Sequence, residues 1–426
     1  MKQFALIVCL SPKNWYSFAP LLACLENTDL LQKYQVFLLE ERSNSTIAKL
    51  LSQFETLLFA YSFFTQDVPK IAAEIKKLKE SFPIQRMIFL AGGPHATGNP
   101  KQTLDIGFDL VIKGEGEQKF PLLLDCLWKS EAYSDLEGIC FSSNGQIYIT
   151  ESLQIIDLDA YPTCSKRFEL HPPIEITRGC PFGCKYCQVT YLFGRIMRHR
   201  SIDCIIKIVK EYIETFKGPR ITDIRFISPN SFAYGSSDGK TPNPLKISKL
   251  LYEIAHSCPD TRIFFATFPS EGRPEFITPS ILDQITPYIA NQYISFGAQT
   301  GSDRMLNAIG RQHTVQDIMN AATTIYDAHL IPLVDFLIGL PHESPEDQYQ
   351  TLGLIKELIR LKAKIRIHYF MPLSGTPFEN ENSVPITPSV FSELGRLAKR
   401  GHLSGNLNTQ IQNSIRIQNL FESFKK

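Results

Sequence analysis

The sequence predicts an α/β protein: a doubly wound parallel sheet over residues 1–150, then a second strand-and-helix array over 174–375, then a short C-terminal helical extension over 376–426. Three observations predict it. Apolar strand-like runs alternate with helical patterns through the first 150 residues, which is how a mostly parallel sheet is written in sequence. Six strand-then-helix units recur between 174 and 375, as a parallel barrel requires. Between them, residues 151–173 carry Pro162, Pro172 and Pro173 with little periodicity and read as a linker.

In the first region the strand-like runs are Phe4 to Leu10, Gln35 to Glu40, Thr56 to Tyr61, Arg86 to Leu90 and Asp109 to Lys113. Between the third and fourth, Val68, Ile71, Ala72, Ile75 and Leu78 recur on one helical face with lysines opposite, behind Asp67 as the cap. Ligands of such sheets sit at the carboxyl ends of the strands. Two glycine-containing turns fall there: Ala91-Gly-Gly-Pro-His-Ala-Thr-Gly98, with Gly92, Gly93 and His95, and Lys113-Gly-Glu-Gly-Glu117, with Gly114 and Gly116. Glycine lets backbone approach a ligand closely, but any strand-to-helix turn can carry it. A lone histidine such as His95 serves as a loop brace by default. Asn144-Gly145, between Ile139-Cys-Phe and Gln146-Ile-Tyr-Ile-Thr, predicts a hairpin.

The strands of the second region are placed at Ile174 to Thr177, Asp223 to Ser228, Arg262 to Thr267, Tyr293 to Ala298, Leu333 to Ile338 and Ile365 to Phe370. Helical stretches separate them at Ile202 to Phe216, Leu245 to His256, Pro279 to Tyr288, Val315 to His329 and Glu346 to Leu361. Functional loops of a barrel leave the carboxyl ends of its strands. His368 and Tyr369, in the sixth strand, face either the interior or the core. Beyond it, an amphipathic helix from Ser389 to Lys399 precedes an Asn/Gln/Ser-rich tail.

The chemistry gathers after the first of these strands. Ile176-Thr-Arg-Gly-Cys-Pro-Phe-Gly-Cys-Lys-Tyr-Cys-Gln188 sets Cys180, Cys184 and Cys187 in a C-x3-C-x2-C run. Pro181 and Gly183 supply a bend that lets one loop turn three sulfurs toward a common centre, a soft-metal site. Zinc usually takes a fourth protein ligand from a second Cys or His pair, and no such pair follows. A [4Fe-4S] cluster held by three cysteines keeps one iron open. A structural zinc knot or three buried thiols are the plain alternatives.

The run Cys180-Pro-Phe-Gly-Cys184-Lys-Tyr186-Cys187, with its aromatic before the third cysteine, resembles the signature of the radical SAM superfamily. That resemblance implies a [4Fe-4S] cluster whose open iron is chelated by S-adenosylmethionine (SAM), cleavage of SAM to methionine and a 5′-deoxyadenosyl radical, an incomplete (β/α)6 barrel, and a one-electron donor such as flavodoxin or ferredoxin. It makes Cys180, Cys184 and Cys187 the metal ligands and catalytic residues and Tyr186 a cofactor neighbour. Residue by residue it places Asn230 and Ser231 near the methionine part of SAM, although the family's G-G-E is missing there. It places Gln299 and Thr300 at the ribose, Asp335 and Gly339 along adenine, and Arg311 at the SAM carboxylate. The order of the two regions, with G-G-P-H-A-T-G and K-G-E-G-E turns in the first, resembles the cobalamin-binding radical SAM proteins of class B. It implies a corrinoid over Gly92, Gly93, His95, Gly114 and Gly116. The D-x-H-x-x-G motif that ligates cobalt in other cobalamin domains is absent. The implied activity is cobalamin-dependent methylation of an unactivated carbon. The alternatives are a cobalamin-binding radical SAM enzyme that performs cyclisation, cleavage or rearrangement without methyl transfer, or a non-catalytic iron–sulfur binding protein.

Composition bounds the rest. In 426 residues, 44 Lys and Arg against 43 Asp and Glu leave the chain near neutrality, with no call for nucleic acid or an anionic membrane. Seven scattered cysteines beside the clustered three form no secreted disulfide framework, so a reducing cytoplasm is the expected compartment. No window reaches the about 18–20 apolar residues of a membrane span. The substrate class, whether small molecule, lipid or peptide, is open.

Overall fold

A computed structural model describes residues 4–151, 155–218 and 221–423. They divide into two compact units, Met1–Pro172 with Leu373–Gly375, and Pro173–Pro372 with Thr376–Lys426.

The first unit is a seven-stranded sheet in the order β2-β1-β3-β4-β5-β6-β7. Its strands are β1 (Phe4–Cys9), β2 (Tyr34–Leu39), β3 (Thr56–Ser62), β4 (Met87–Gly92), β5 (Leu110–Ile112), β6 (Ile139–Ser143) and β7 (Gln146–Ile149). The first five pair in parallel and the last two form the antiparallel hairpin that Asn144-Gly145 predicts, both turn residues having positive φ. The wholly buried run of β1 shows why it is continuously apolar: helices cover both faces. Placing β2 and β3 on opposite sides of β1 makes the β1/β3 boundary the point where strand order reverses. Asn14 ties the two carboxyl ends there, its Nδ2 donating to the carbonyls of Cys9 and Ser62, each at 2.9 Å.

The expected linker is a correction. Residues 155–172 pack with the first unit, burying Ile156, Leu158 and Cys164, while the Ile156 N–H donates to Glu115 Oε2 at 3.0 Å and the Ser165 hydroxyl donates to Glu26. The prolines suppress a regular ladder without preventing burial of the apolar side chains between them. Residues 152–154 lie outside the described residues.

In the second unit, β8 (Ile174–Glu175) is followed by the short antiparallel pair β9 (Thr177–Arg178) and β10 (Arg198–His199). Next come β11 (Asp223–Ile227), β12 (Arg262–Phe264), β13 (Tyr293–Gln299), β14 (Ile331–Ile338), β15 (Lys364–Tyr369) and β16 (Leu403–Ser404). Two parallel sheets result, β12-β11-β8 and β13-β14-β15-β16, linked by the bridge Gly272↔Phe296. The third strand ends earlier than expected because Ala266 takes a positive φ of 52°. Alternation in β14 buries Pro332, Val334, Phe336 and Ile338 on one face and leaves Leu333, Asp335 and Leu337 on the half-open other. The intervening helices begin on side-chain caps that include Ser201, Asn243, Thr278, Thr314 and Ser344.

The C-terminal residues do more than extend this array. β16 pairs in parallel with β15, Ile365 opposite Leu403, and the polar tail forms a helix, Leu407–Ser423, that buries Ile417 and Phe421. Among the described residues no helix is long and apolar enough to cross a membrane.

Candidate active site

The cysteine loop is folded by its own backbone. Gly179 and Gly183 take positive φ, the Cys180 N–H donates to Gly194 O (3.1 Å), and the Thr190 hydroxyl donates to Cys180 O at 2.9 Å. A second anchor comes from the far side of the chain, where the Lys185 N–H donates to Ile309 O at 3.0 Å. Tyr186 packs against Met305, Ile309, Leu340, Phe370 and Phe378. Burial raises the Cys180 thiol and pushes the Cys187 thiol up to about 12.

Among the described residues no three His, Cys, Asp or Glu side chains are arranged to hold a single metal ion, the three cysteines included. An iron–sulfur cube is gripped at separate corners, so its ligands need not meet at a point.

The surroundings of Cys184 fit such a cluster. Two guanidiniums reach its sulfur, Arg311 Nη1 at 3.9 Å and Arg273 Nη1 at 4.0 Å. Arg311 is fixed by Nη2 donating to Gly297 O at 2.7 Å, and Arg273 by Nε donating to Glu275 Oε1 at 2.5 Å and by stacking of its Cζ 3.5 Å from the Phe182 ring centroid. Among the described residues around Cys184, the buried donors Arg273 Nη2, Arg311 Nε and Asn230 Nδ2 are left without a hydrogen-bond partner, as are Glu275 Oε2 and His313 Nδ1. Buried polar groups are almost always satisfied, so a set of orphaned donors, two of them cationic, marks a place built for an anionic group. Glu275 balances part of the charge. Burial would raise its carboxyl, but His313, whose Nδ1 lies 3.4 Å away, and Arg273 more than offset that and hold it at about 2. Sequence reasoning missed Arg273, Glu275 and His313. The available signal was the density of charge in the loop Glu271-Gly-Arg-Pro-Glu275 after a barrel strand.

The other expected SAM residues divide. Asn230 is buried beside Arg273, its Oδ1 accepting the Arg273 N–H at 3.2 Å, and Gln299 stands half-buried at the end of β13 in a left-handed turn. Four others have partners within the chain. Ser231 is wholly buried and donates to Ser270 O at 2.6 Å, bracing two loops. Thr300, also wholly buried, meets the Thr351 hydroxyl at 3.0 Å. Asp335 is clamped by Arg366 within the sheet. Gly339, at φ 78°, has no room for a side chain because the Tyr369 ring lies against it. Tyr369 is core, its hydroxyl donating to Val384 O, and His368 is exposed, 4.0 Å from Asp335.

In the first unit, His95 is sealed. Its side chain is buried against Phe63, Nδ1 lies 3.3 Å from the Thr65 hydroxyl, and burial lowers its pKa to about 4. Within the chain it acts as a loop brace, the default role of a lone histidine. Gly93 is accounted for by Ser62, whose hydroxyl a side chain would strike, and the Gly114 N–H donates to Thr97 Oγ1 at 3.1 Å. Gly92 ends β4 and Gly116 packs on Leu21, so within the chain itself the packing of the glycine turns requires no corrin.

Residues 174–381 match the family model of the Radical SAM superfamily. An uncharacterized methyltransferase of Pyrococcus horikoshii is 24% identical over 340 residues, 75% of this chain and 68% of that protein. A tRNA-2-methylthio-N(6)-dimethylallyladenosine synthase of Petrotoga mobilis is 30% identical over 249 residues, and this chain spans 52% of its length. Among solved structures, the radical SAM methyltransferase TsrM of Kitasatospora setae, with cobalamin and a [4Fe-4S] cluster bound, superposes with a TM-score of 0.67 at 13% identity, covering 89% of this chain and 74% of that one. The cobalamin-dependent radical enzyme OxsB, with aqua-cobalamin and SAM bound, gives 0.64 at 16% identity over 94% of this chain and 61% of that one. The N-terminal parallel sheet followed by the 174–381 region is the architecture these structures share, and over residues 174–381 the chain is similar to the Radical SAM superfamily.

Proposed function

We propose that this radical SAM enzyme methylates an unactivated carbon with the help of cobalamin. The observation that carries the radical SAM part is the pair of guanidiniums on the Cys184 sulfur among three orphaned donors. When bound, a [4Fe-4S] cluster supplies the electron that splits SAM into methionine and a 5′-deoxyadenosyl radical, and a corrinoid supplies the methyl group.

The chain's own residues hold and shield these partners. Cys180, Cys184 and Cys187 would ligate the cluster as thiolates; since burial raises the Cys180 and Cys187 thiols, metal binding displaces their protons. Arg311 and Asn230 present charge and an amide to the SAM carboxylate. Phe182, half-buried Tyr186 and the Met305–Phe378 apolar set exclude water around the loop. The cobalamin part is supported by the fold shared with TsrM and OxsB and by the strand-order reversal at β1/β3, where a ligand crevice is expected. In this reading His95 gives cobalt no ligand, consistent with the missing D-x-H-x-x-G. A flavodoxin or ferredoxin is the proposed electron donor.

The test is anaerobic reconstitution with iron, sulfide and cobalamin, reduction, and incubation with methyl-labelled SAM. Formation of 5′-deoxyadenosine supports radical cleavage, and label in a product supports methyl transfer. Unlabelled product with 5′-deoxyadenosine favours rearrangement or cyclisation. A reconstituted protein that makes no 5′-deoxyadenosine contradicts the proposal.

A further inference from the structure

We infer that Arg273 is a positioning residue for the iron–sulfur cluster, pressing a guanidinium onto the Cys184 sulfur and thereby favouring the reduced state. This rests on the reading of Cys180, Cys184 and Cys187 as cluster ligands.

The geometry separates Arg273 from an ordinary buried ion pair. A guanidinium held only for structure turns its fork onto a carboxylate, two parallel bonds at once. Arg273 gives Glu275 only its Nε, while Nη1 reaches Cys184 Sγ at 4.0 Å and Nη2, buried, meets no hydrogen-bond partner. The side chain is 4% exposed, and Phe182 stacked beneath it fixes the plane of the fork. Two cations, Arg273 and Arg311, therefore face one sulfur, and among the described residues Glu275 is the carboxylate paired with them, which leaves positive charge where thiolates and a cluster would add negative charge. Reducing a cluster adds one more electron. A buried cation at contact distance stabilises that added charge, and hydrogen bonds to ligand sulfurs are among the features that set cluster potentials. Arg273 thus acts through the sulfur, without needing to touch the substrate.

The experiment compares wild type with Arg273→Gln and Arg273→Lys after anaerobic reconstitution, measuring iron and sulfide per chain and titrating the reduced-cluster electron paramagnetic resonance signal against potential. The expected result is that Arg273→Gln keeps its iron but is half-reduced at a more negative potential than wild type, and that Arg273→Lys, which keeps the charge, lies between them. If Arg273→Gln does not fold because Glu275 is stranded, the same change is made in a Glu275→Gln background and its potential is compared with that of Glu275→Gln alone, again with a more negative value expected. A cluster-bearing Arg273→Gln protein that titrates at the potential of its Arg273-containing parent overturns the inference. Wild-type protein that holds no cluster overturns the cysteine assignment as well, a result distinguishable from an unshifted potential.

Discussion

Arg366 on β15 clamps Asp335 on β14 with a two-point fork, Nε to Oδ1 at 2.5 Å and Nη2 to Oδ2 at 2.6 Å, and the same Nη2 reaches Glu271 Oε1 at 2.9 Å and Ser295 Oγ at 2.8 Å. Both side chains are mostly buried, at 22% and 14% exposure. Asp335→Ala leaves that guanidinium with only Glu271 and Ser295. The expected cost is ~2–3 kcal/mol, because breaking one side of a largely buried ion pair is more damaging than the pair is stabilising, with Glu271 offsetting part of the stranded charge. Asp335→Asn, which keeps an acceptor, costs less. Urea unfolding of the two variants checks the order.

Glu343 gives a pH-dependent prediction. Its Oε2 accepts the Gly339 N–H at 2.7 Å and the Gln348 amide at 3.2 Å, its Oε1 has no partner, and burial pushes its carboxyl up to about 7. A carboxyl raised in the folded state from an ordinary value near 4.5 binds its proton more tightly there than in the unfolded chain, so stability falls as pH rises through about 4.5 to 7. Glu343→Gln is expected to be more stable than wild type at pH 8 by about 3 kcal/mol at most, with the difference closing toward pH 5. Denaturant midpoints of both proteins at the two pH values measure it.

His95 has the opposite sign. A histidine lowered to about 4 in the folded protein stays neutral there while the unfolded chain takes up a proton near 6.5. Its stabilisation is complete above pH 6.5 and is lost as pH falls toward 4. His95→Asn is expected to be less stable than wild type at pH 7.5, by about 2 kcal/mol for a buried stacked ring, with the gap narrowing at pH 4.5. Corrinoid binding by the folded variant is expected to persist, measured by absorbance after gel filtration. Loss of binding without loss of fold would show that His95 touches the ligand.

Much of this fold was legible in sequence because alternation is a local signal. The five parallel strands of the first sheet and the Asn144-Gly145 hairpin follow from runs of a few residues each. β16 was not legible: two residues flanked by Gly401 and Gly405 carry no period, and only β15 makes them a strand. The site divides in the same way. The cysteine spacing is local and points directly at the chemistry. Whether Ser231, Thr300 or His95 faces a ligand is set by Ser270, Thr351 and Phe63 or Thr65, tens of residues away, and no spacing rule encodes those partners. Arg273 was overlooked for the same reason, since its partner Cys184 lies 89 residues earlier.

The most direct test of the account is metal analysis of anaerobically reconstituted wild-type protein beside the Cys180→Ala/Cys184→Ala/Cys187→Ala variant. The account predicts about four irons and four sulfides per wild-type chain, a reduced-cluster resonance that changes when SAM is added, and none of these in a folded triple variant. Equal iron in both proteins, or a wild type that binds zinc and no sulfide, would contradict it.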